Sequence, residues 1–506
     1  MKSVPGRTDR IVVVGAGLSG LAAALHLAGR GREVTVLERD PAPGGRAGRA
    51  ERKGYLLDTG PTVLTMPSIL QDTFGAVGAE LRDELPLTRL DPAYVAHFAD
   101  GSKLPVHTDA AAMTDAVRKF AGPTEATGYV RLREWLTRLY RTEFTRFIDS
   151  NIDSPLGMLK PDLARLVALG GFRRLDGKIG SFLSDERLKR VFTFQALYAG
   201  ESPMRALALY AVISYMDTIG GVYFPPGGIA ALPQALARVS AANGVEFHYS
   251  DPVQALERKG GRVTAVRTAG GERHPCDAVV LTTELPESYR LLGRSPRRPV
   301  PLRPAPSALI VHTGGPGDHP EVGHHTISFG KGWRSTFDEL ITTGRRMTDP
   351  SLLITRPTAT DPGLAPPGRQ LYSILAPVPN LDRGPADWAT EAGPYAEEIL
   401  AVARRRQLPD FEPDFTEIIS PADWAARGLV AGTPFSYSHS FGQTGPFRPG
   451  NLPRSTENVV LAGGATVPGV GVPTVLISGR LAADRITGVP DGRRSRMVDL
   501  AAEANR

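Results

Sequence analysis

An α/β fold built on a parallel sheet is predicted by three stretches of this 506-residue chain. The first is "RIVVVGAGLSGLAAALHLAGRGREVTVLE", Arg10 to Glu38, where two short apolar runs flank a glycine-rich turn and an alanine- and leucine-rich segment. Uninterrupted apolar runs of this length suit strands buried on both faces, as strands of a parallel sheet are. The second is "DAVVLTTEL", Asp277 to Leu285, another such run. The third is "NVVLAGGATVPGVGVPTVLISGR", Asn458 to Arg480, a strand, a glycine-rich turn and the start of a helix near Val472.

Taken in order, Arg10 to Gly15 is the first strand, Gly20 to Gly29 a helix and Glu33 to Glu38 the second strand, a β-α-β unit of about thirty residues. Tyr94 to Thr108 alternates around Asp100-Gly101 and reads as a β-hairpin. Asp109 to about Met216 is mainly helical, with a break at Gly170-Gly171. From "GGVYFPPGGIAALPQAL" onward, as far as Glu272, the chain gives a turn, a helix and a meander of strands. Residues 286–306 and 357–370 are Pro-rich surface connections, and 307–440 mix strands with helices. The final helix runs from about Val472 to Thr487. The organisation expected is one domain in three pieces (1–90, 221–300 and 449–490), interrupted by 91–220 and 301–448 and followed by a flexible tail, 491–506. Long insertions of this kind enter at loops.

Composition agrees with a large globular protein: 41% hydrophobic and 22% charged, enough apolar material for more than one core. The net charge of +6 comes from arginines dispersed among acids, which disfavours a nucleic-acid partner and suits an anionic membrane surface. A single cysteine, Cys276, excludes an internal disulfide and sits at a strand start as a structural residue. "MKSVPGRTDR" passes into the first strand without the apolar region of a secretory signal, so a cytoplasmic location is expected. The histidines are scattered singly (His97, His107, His248) apart from His324-His325, and no metal-ligand spacing is present, so no metal is expected.

Gly15, Gly17 and Gly20 form G-x-G-x-x-G between a strand and a helix, with Ala16 and Ser19 inside the turn. Such glycines allow a tight turn, approach of the backbone to a pyrophosphate, and close helix–strand packing. Glu38 ends the second strand, where a carboxylate accepts ribose hydroxyls, and Arg39 comes directly after it. Dinucleotide binding is therefore expected. "GGRAG", with Gly44, Gly45 and Arg46, and the strand and turn "GYLLDTGPT", with Gly60, Pro61 and Thr62, favour a flavin over a nicotinamide nucleotide. The far segment then acquires a purpose: Gly463-Gly464 and the helix start at Gly471-Val472 supply a close backbone and a helix N-terminus for the ring end of a long dinucleotide.

Together with "GYLLDTGPTVLTMP", "GVYFPPGGIAALPQAL" and "PGVGVPTVLISG", these motifs resemble the FAD-dependent amine-oxidase-like superfamily and, within it, bacterial phytoene desaturases, over the chain to about residue 488. The resemblance implies a Rossmann-like FAD-binding domain of the GR2 flavoprotein type, with an inserted mixed α+β substrate domain and a helical membrane-associating region. It implies FAD as cofactor, with Val253 meeting the adenine, and an apolar polyene substrate, phytoene, desaturated stepwise to lycopene or a less desaturated product. A carotenoid isomerase, a ketolase, an amine oxidase, or a prenyl-lipid carrier without flavin are the alternatives. Removing a hydride and a proton from adjacent saturated carbons calls for a water-free apolar channel and a proton acceptor. "FTFQALYAG", "ALALYAVISYM" and "GVYFPPGG" are the candidate walls, and Asp153, then Asp149, the candidate bases. Arg131, Arg133, Arg138, Arg141 and Arg146, interleaved with Trp135, Leu136 and Phe147, form the candidate membrane-facing segment.

Overall fold

A computed structural model describes residues 1–154, 161–296, 298 and 300–488. The tail expected to be flexible lies outside the described residues, as does the side chain of Arg146.

Five parallel strands form one sheet, in the order Glu246–His248, Glu33–Leu37, Arg10–Val14, Ala278–Leu281 and Val459–Leu461. The middle strand, β1 (Arg10–Val14), is paired on both sides; Val13 stands between Val36 of β2 (Glu33–Leu37) and Val280. Its four apolar residues are buried because both faces of the sheet are covered. Ile11 and Val13 pack with the helices Leu18–Ala28 and Val472–Thr487, and Val12 and Val14 with Val263 and Val266 of an antiparallel sheet and Leu285 and Leu291 of a short helix. The strands come from three separated stretches of chain, so this sheet exists only when sequence-distant parts meet.

Helix α1 (Leu18–Ala28) begins just after β1 ends and packs along the C-terminal helix, Val472–Thr487. The approach is backbone to backbone. A Cβ on Gly20 would collide with the Gly15 carbonyl oxygen, and one on Gly479 with that of Ser19. Gly15 itself has φ +104°, a conformation open to glycine and costly for other residues.

A second, seven-stranded sheet runs in the order Phe415–Ile419, Ser307–Pro316, Arg369–Val378, Leu352–Thr355, His325–Ser328, Tyr94–His97 and Lys103–Val106. It is antiparallel except where His325–Ser328 meets Tyr94–His97. The hairpin read from the sequence at 94–108 thus extends a sheet whose other strands lie roughly 200 residues or more later. Trp388–Arg406 covers one face of this sheet, burying Tyr395, Ile399 and Leu400. A three-stranded antiparallel sheet, Val253–Lys259, Arg262–Thr268 and Arg273–Pro275, flanks the parallel one. The remaining bulk is helical, led by Pro123–Glu143. Among the described residues no helix is long and apolar enough to cross a membrane.

The helix contact makes a specific demand on size. Gly479→Ala is expected to destabilise the fold by about 3 kcal/mol, the overpacking cost where backbone blocks relaxation. Gly177→Ala, where a Cβ meets nothing within 4 Å, should be close to neutral. Urea denaturation of the two variants checks both.

Candidate functional site

All the sequence-predicted cofactor contacts except Ala16 and Gly20 line one cavity of about 1820 Å³. Gly15, Gly17, Ser19, Glu38, Arg39, Gly44, Gly45, Arg46, Gly60, Pro61, Thr62 and Val253 converge there with Gly463, Gly464, Gly471 and Val472 from the far end of the chain. Ala16 contributes its backbone: its N–H donates to Glu38 Oε2, and its carbonyl accepts from Gly44 N at 3.0 Å. Gly20 holds α1 against the β1 turn.

The donor set fits a dinucleotide. Glu38 is buried at the end of β2, its Oε1 accepting from Asp40 N at 2.9 Å, and burial raises its pKa above the ordinary carboxylate value. The Gly44-Gly45 stretch lies against the first turn through a Gly17–Gly44 bridge. Arg46 pairs with Glu284 across the cavity wall, yet its Nε and Glu284 Oε2 are buried without hydrogen-bond partners. Two helix N-termini open into the same space, α1 and the C-terminal helix, whose Val472 to Val475 line it. Their free amides supply positive potential at two separated points. Gly463 is held at the cavity by donating its N–H to Ser478 Oγ at 3.0 Å.

The opposite wall is apolar. Tyr198, Leu207, Leu209, Tyr210, Val212, Ile213 and Met216 line it, from two of the three segments expected to do so. The third, "GVYFPPGG", does not reach the cavity. Its strand Val222–Phe224 pairs with Leu64–Thr65 and Thr88–Arg89, and Phe224 is core. The turn after it delivers Ile229 N and Ala230 N to Asp58, each at 2.8 Å; burial lifts that carboxyl to about 6. Its glycines and aromatics serve packing.

The two acids expected to act as bases are placed elsewhere. Neither Asp149 nor Asp153 lines the cavity; both are engaged by arginines of the C-terminal helix. Asp149 is buried against Arg480, which also meets Asp72 at 3.4 Å and Asp484 at 3.3 Å. Burial opposes ionisation of Asp153, but Arg485 and the Lys2 amide outweigh it and hold its carboxyl below the usual range.

Besides Glu38, two buried acids do line the cavity. Asp217 is buried, accepts from Gln195 Nε2 at 3.1 Å through Oδ2, and leaves Oδ1 without a partner; burial pushes its pKa up to about 8. Glu143, at the end of the long helix, has Oε1 buried and unpartnered, and burial raises its carboxyl well above the ordinary value. Sequence reasoning missed both. The one available signal was an acid inside an otherwise apolar stretch, "VISYMDTIGG".

The candidate membrane-facing segment is also corrected. Trp135 and Leu136 are buried, and Trp135 Nε1 donates to Leu169 O at 2.9 Å. Arg133 donates to Tyr129 Oη and Thr108 O. Phe147 lines the cavity. The apolar stripe of this helix faces the core, the commoner use of such a pattern. Of the exposed large apolar side chains among the described residues, Phe172, Phe441 and Phe447 line the cavity, the last two with ring centroids 5.8 Å apart.

Residues 18–487 match the family model described as flavin containing amine oxidoreductase. The chain is 61% identical over 509 residues to "Phytoene dehydrogenase" of Streptomyces griseus, covering 100% of both chains. It is 36% identical to "zeta-carotene-forming phytoene desaturase" of Myxococcus xanthus, over 96% of this chain and 94% of that one. Among solved structures it is similar in fold to an oxidoreductase of Methanosarcina mazei, with a TM-score of 0.62 at 18% identity, covering 93% of this chain and 98% of the other. The match over residues 18–487 and the 61% identity over the whole chain show that the chain belongs to the flavin-containing amine oxidoreductase family.

Proposed function

We propose that this protein is a phytoene desaturase that uses FAD, takes its substrate from a membrane surface on the cytoplasmic side, and carries desaturation through successive steps to lycopene. The observation that carries the reading is the continuity of one cavity from a polar dinucleotide cradle to an apolar wall. The 61% identical relative named for phytoene supports the substrate class. Relatives named for forming zeta-carotene and lycopene support a sequence of steps.

FAD suits the cradle because its length needs both ends of the site. Glu38 would hold the adenosine ribose, α1 and Arg46 the pyrophosphate, Val253 the adenine, and Gly463 to Val472 the ring end. When bound, the flavin supplies a two-electron acceptor for a hydride. The chain's own residues do the rest. Tyr198, Leu209, Tyr210 and Ile213 present a hydrocarbon with nothing to hydrogen-bond to, exclude water and align one CH–CH unit. One hydrogen leaves its carbon as a hydride, with the electron pair of that C–H bond; the neighbouring C–H bond gives its electrons to the new double bond and its proton to a carboxylate. Asp217 suits that role, because Gln195 orients Oδ2 and leaves Oδ1 free, and the nearby strand Leu64–Thr65 continues from the Thr62 turn. In its ionised form the same carboxylate stabilises positive charge developing on the polyene. The exposed Phe172, Phe441 and Phe447 suit insertion into a lipid surface.

Anaerobic incubation of the flavin-loaded protein with phytoene in anionic liposomes tests the reading. Conjugated products accumulating in step with flavin bleaching are expected; unchanged phytoene with a competent flavin would refute it.

The base assignment has a pH signature. Asp217 accepts a proton only when ionised, so turnover should rise with pH through about 8 and then level off. Asp217→Asn is expected to lower turnover by about 10² to 10⁴-fold and abolish that rise. The same loss in Glu143→Gln, with Asp217→Asn active, would transfer the role to Glu143.

Asp149→Asn separates structure from catalysis. It should cost about 3 kcal/mol of stability, since it leaves Arg480 buried with one partner fewer, while turnover per folded molecule stays unchanged. Denaturation midpoints and initial rates measured on one preparation check this.

A further inference from the structure

Where the edge strand of the parallel sheet meets the antiparallel sheet, four side chains from the two strands and their adjoining turns come together. His248 ends the edge strand Glu246–His248, and Asp251 lies in the turn after it. Glu272 and His274 come from the start of the strand Arg273–Pro275 in the antiparallel sheet. One potential ligand atom from each of the four lies within 4.8 Å of all the others. The two imidazoles meet edge to face with centroids 4.8 Å apart.

The hydrogen bonding around this cluster is that of a set of ligands. His248 Nε2 lies 2.9 Å from Glu246 Oε1. Donation of that N–H to the carboxylate fixes the tautomer and leaves the Nδ1 lone pair directed inward, 3.8 Å from Glu272 Oε2. His274 Nε2 is buried, makes no hydrogen bond, and stands 3.6 Å from the same Glu272 oxygen. Glu272 is thus shared between two imidazole nitrogens, neither of which it hydrogen-bonds. Bonds of about 2.1 Å to a tetrahedral ion put neighbouring ligand atoms about 3.4 Å apart. The two Glu272 spacings, 3.6 and 3.8 Å, are close to this, and the four ligand atoms, all within 4.8 Å of one another, would draw inward by side-chain rotation on binding an ion.

We propose that His248, Asp251, Glu272 and His274 bind a divalent transition-metal ion of the zinc class, tying the edge of the parallel sheet to the antiparallel sheet beside it. Two imidazoles with two carboxylates favour zinc over calcium or magnesium, which take oxygen ligands. Four protein ligands leave no open position, so the ion is structural. Its placement has a consequence for the cofactor side. The His248 carbonyl accepts from Glu38 N at 2.8 Å, and the Glu38 carbonyl accepts from Asp251 N at 2.9 Å. An ion bridging His248 and Asp251 therefore clamps the two residues that hold the Glu38 backbone, at the adenosine end of the cradle. The sequence expectation of no metal is revised accordingly: the four ligands fit no linear motif because two sheets supply them.

The test uses tag-free, full-length, flavin-loaded protein stripped with a chelator and titrated with Zn²⁺ against a chromophoric competitor. One equivalent should bind. His248→Ala and His274→Ala should each weaken binding on the order of 100-fold. Glu246→Gln, which alters only the positioning of His248, should weaken it by about 10-fold. Co²⁺ in place of Zn²⁺ should give four-coordinate ligand-field absorption at wavelengths beyond the flavin bands, lost in His274→Ala. Metal-free thermal midpoints and circular dichroism equal to those of the unsubstituted protein establish that these variants are folded. Absence of stoichiometric uptake, or equal affinity in the unsubstituted protein and a His248→Ala/His274→Ala double variant, overturns the proposal. None of these readouts depends on the substrate or on turnover.

Discussion

The architecture rests on one contact: the glycine-thinned face of the C-terminal helix against α1. Gly479 lets the two helix backbones meet at Ser19 and Ala23, and Ser478, one residue earlier, holds Gly463 by its hydroxyl. That approach carries Gly463-Gly464 to the mouth of the first glycine turn. It also places two helix N-termini on one cavity. Val459–Leu461 adds to the parallel sheet by pairing with Ala278–Leu281, so the same piece of chain completes both the sheet and the site. Neither end of the polypeptide would form this cavity without the other.

Charge distribution derives from the same helix. Arg480 and Arg485 are almost fully buried, and each needs carboxylates close by because an unpaired guanidinium in the interior is costly. Asp72, Asp149, Asp153 and Asp484 meet that need. Carboxylates held this way are poor proton acceptors. Asp217 and Glu143 are in the opposite state: buried, facing the cavity and short of partners, so that burial dominates their proton affinity. The molecule thus separates its acids into those that hold the C-terminal helix in place and those exposed to the apolar chamber.

The features that could be read from the sequence divide along the same line. The parallel strands, the glycine turn, Glu38 and the C-terminal helix were legible because each is dictated by local backbone requirements within a few residues. The hairpin at Tyr94 was legible for the same reason, though not the sheet it joins. Asp149 and Asp153 were misread because their arginine partners lie more than 300 residues away. The helix carrying Trp135 was misread because an apolar stripe beside arginines fits a buried helix as well as a lipid surface. The glycine- and aromatic-rich turn at Gly221 gave no sign of its carboxylate partner, Asp58. Asp217 and Glu143 escaped notice because their significance lies in missing partners, and absence of a partner is a property of tertiary packing alone.

The central claim is that the two ends of the chain grip a single flavin whose ring faces the apolar chamber. A crystal structure of the protein loaded with FAD tests it most directly. The result expected is the pyrophosphate at the start of α1, the ribose on Glu38, and the ring system between Thr62 and Val472 with one face toward Tyr210 and Asp217. A dinucleotide bound elsewhere, or a ring turned away from that wall, would contradict it.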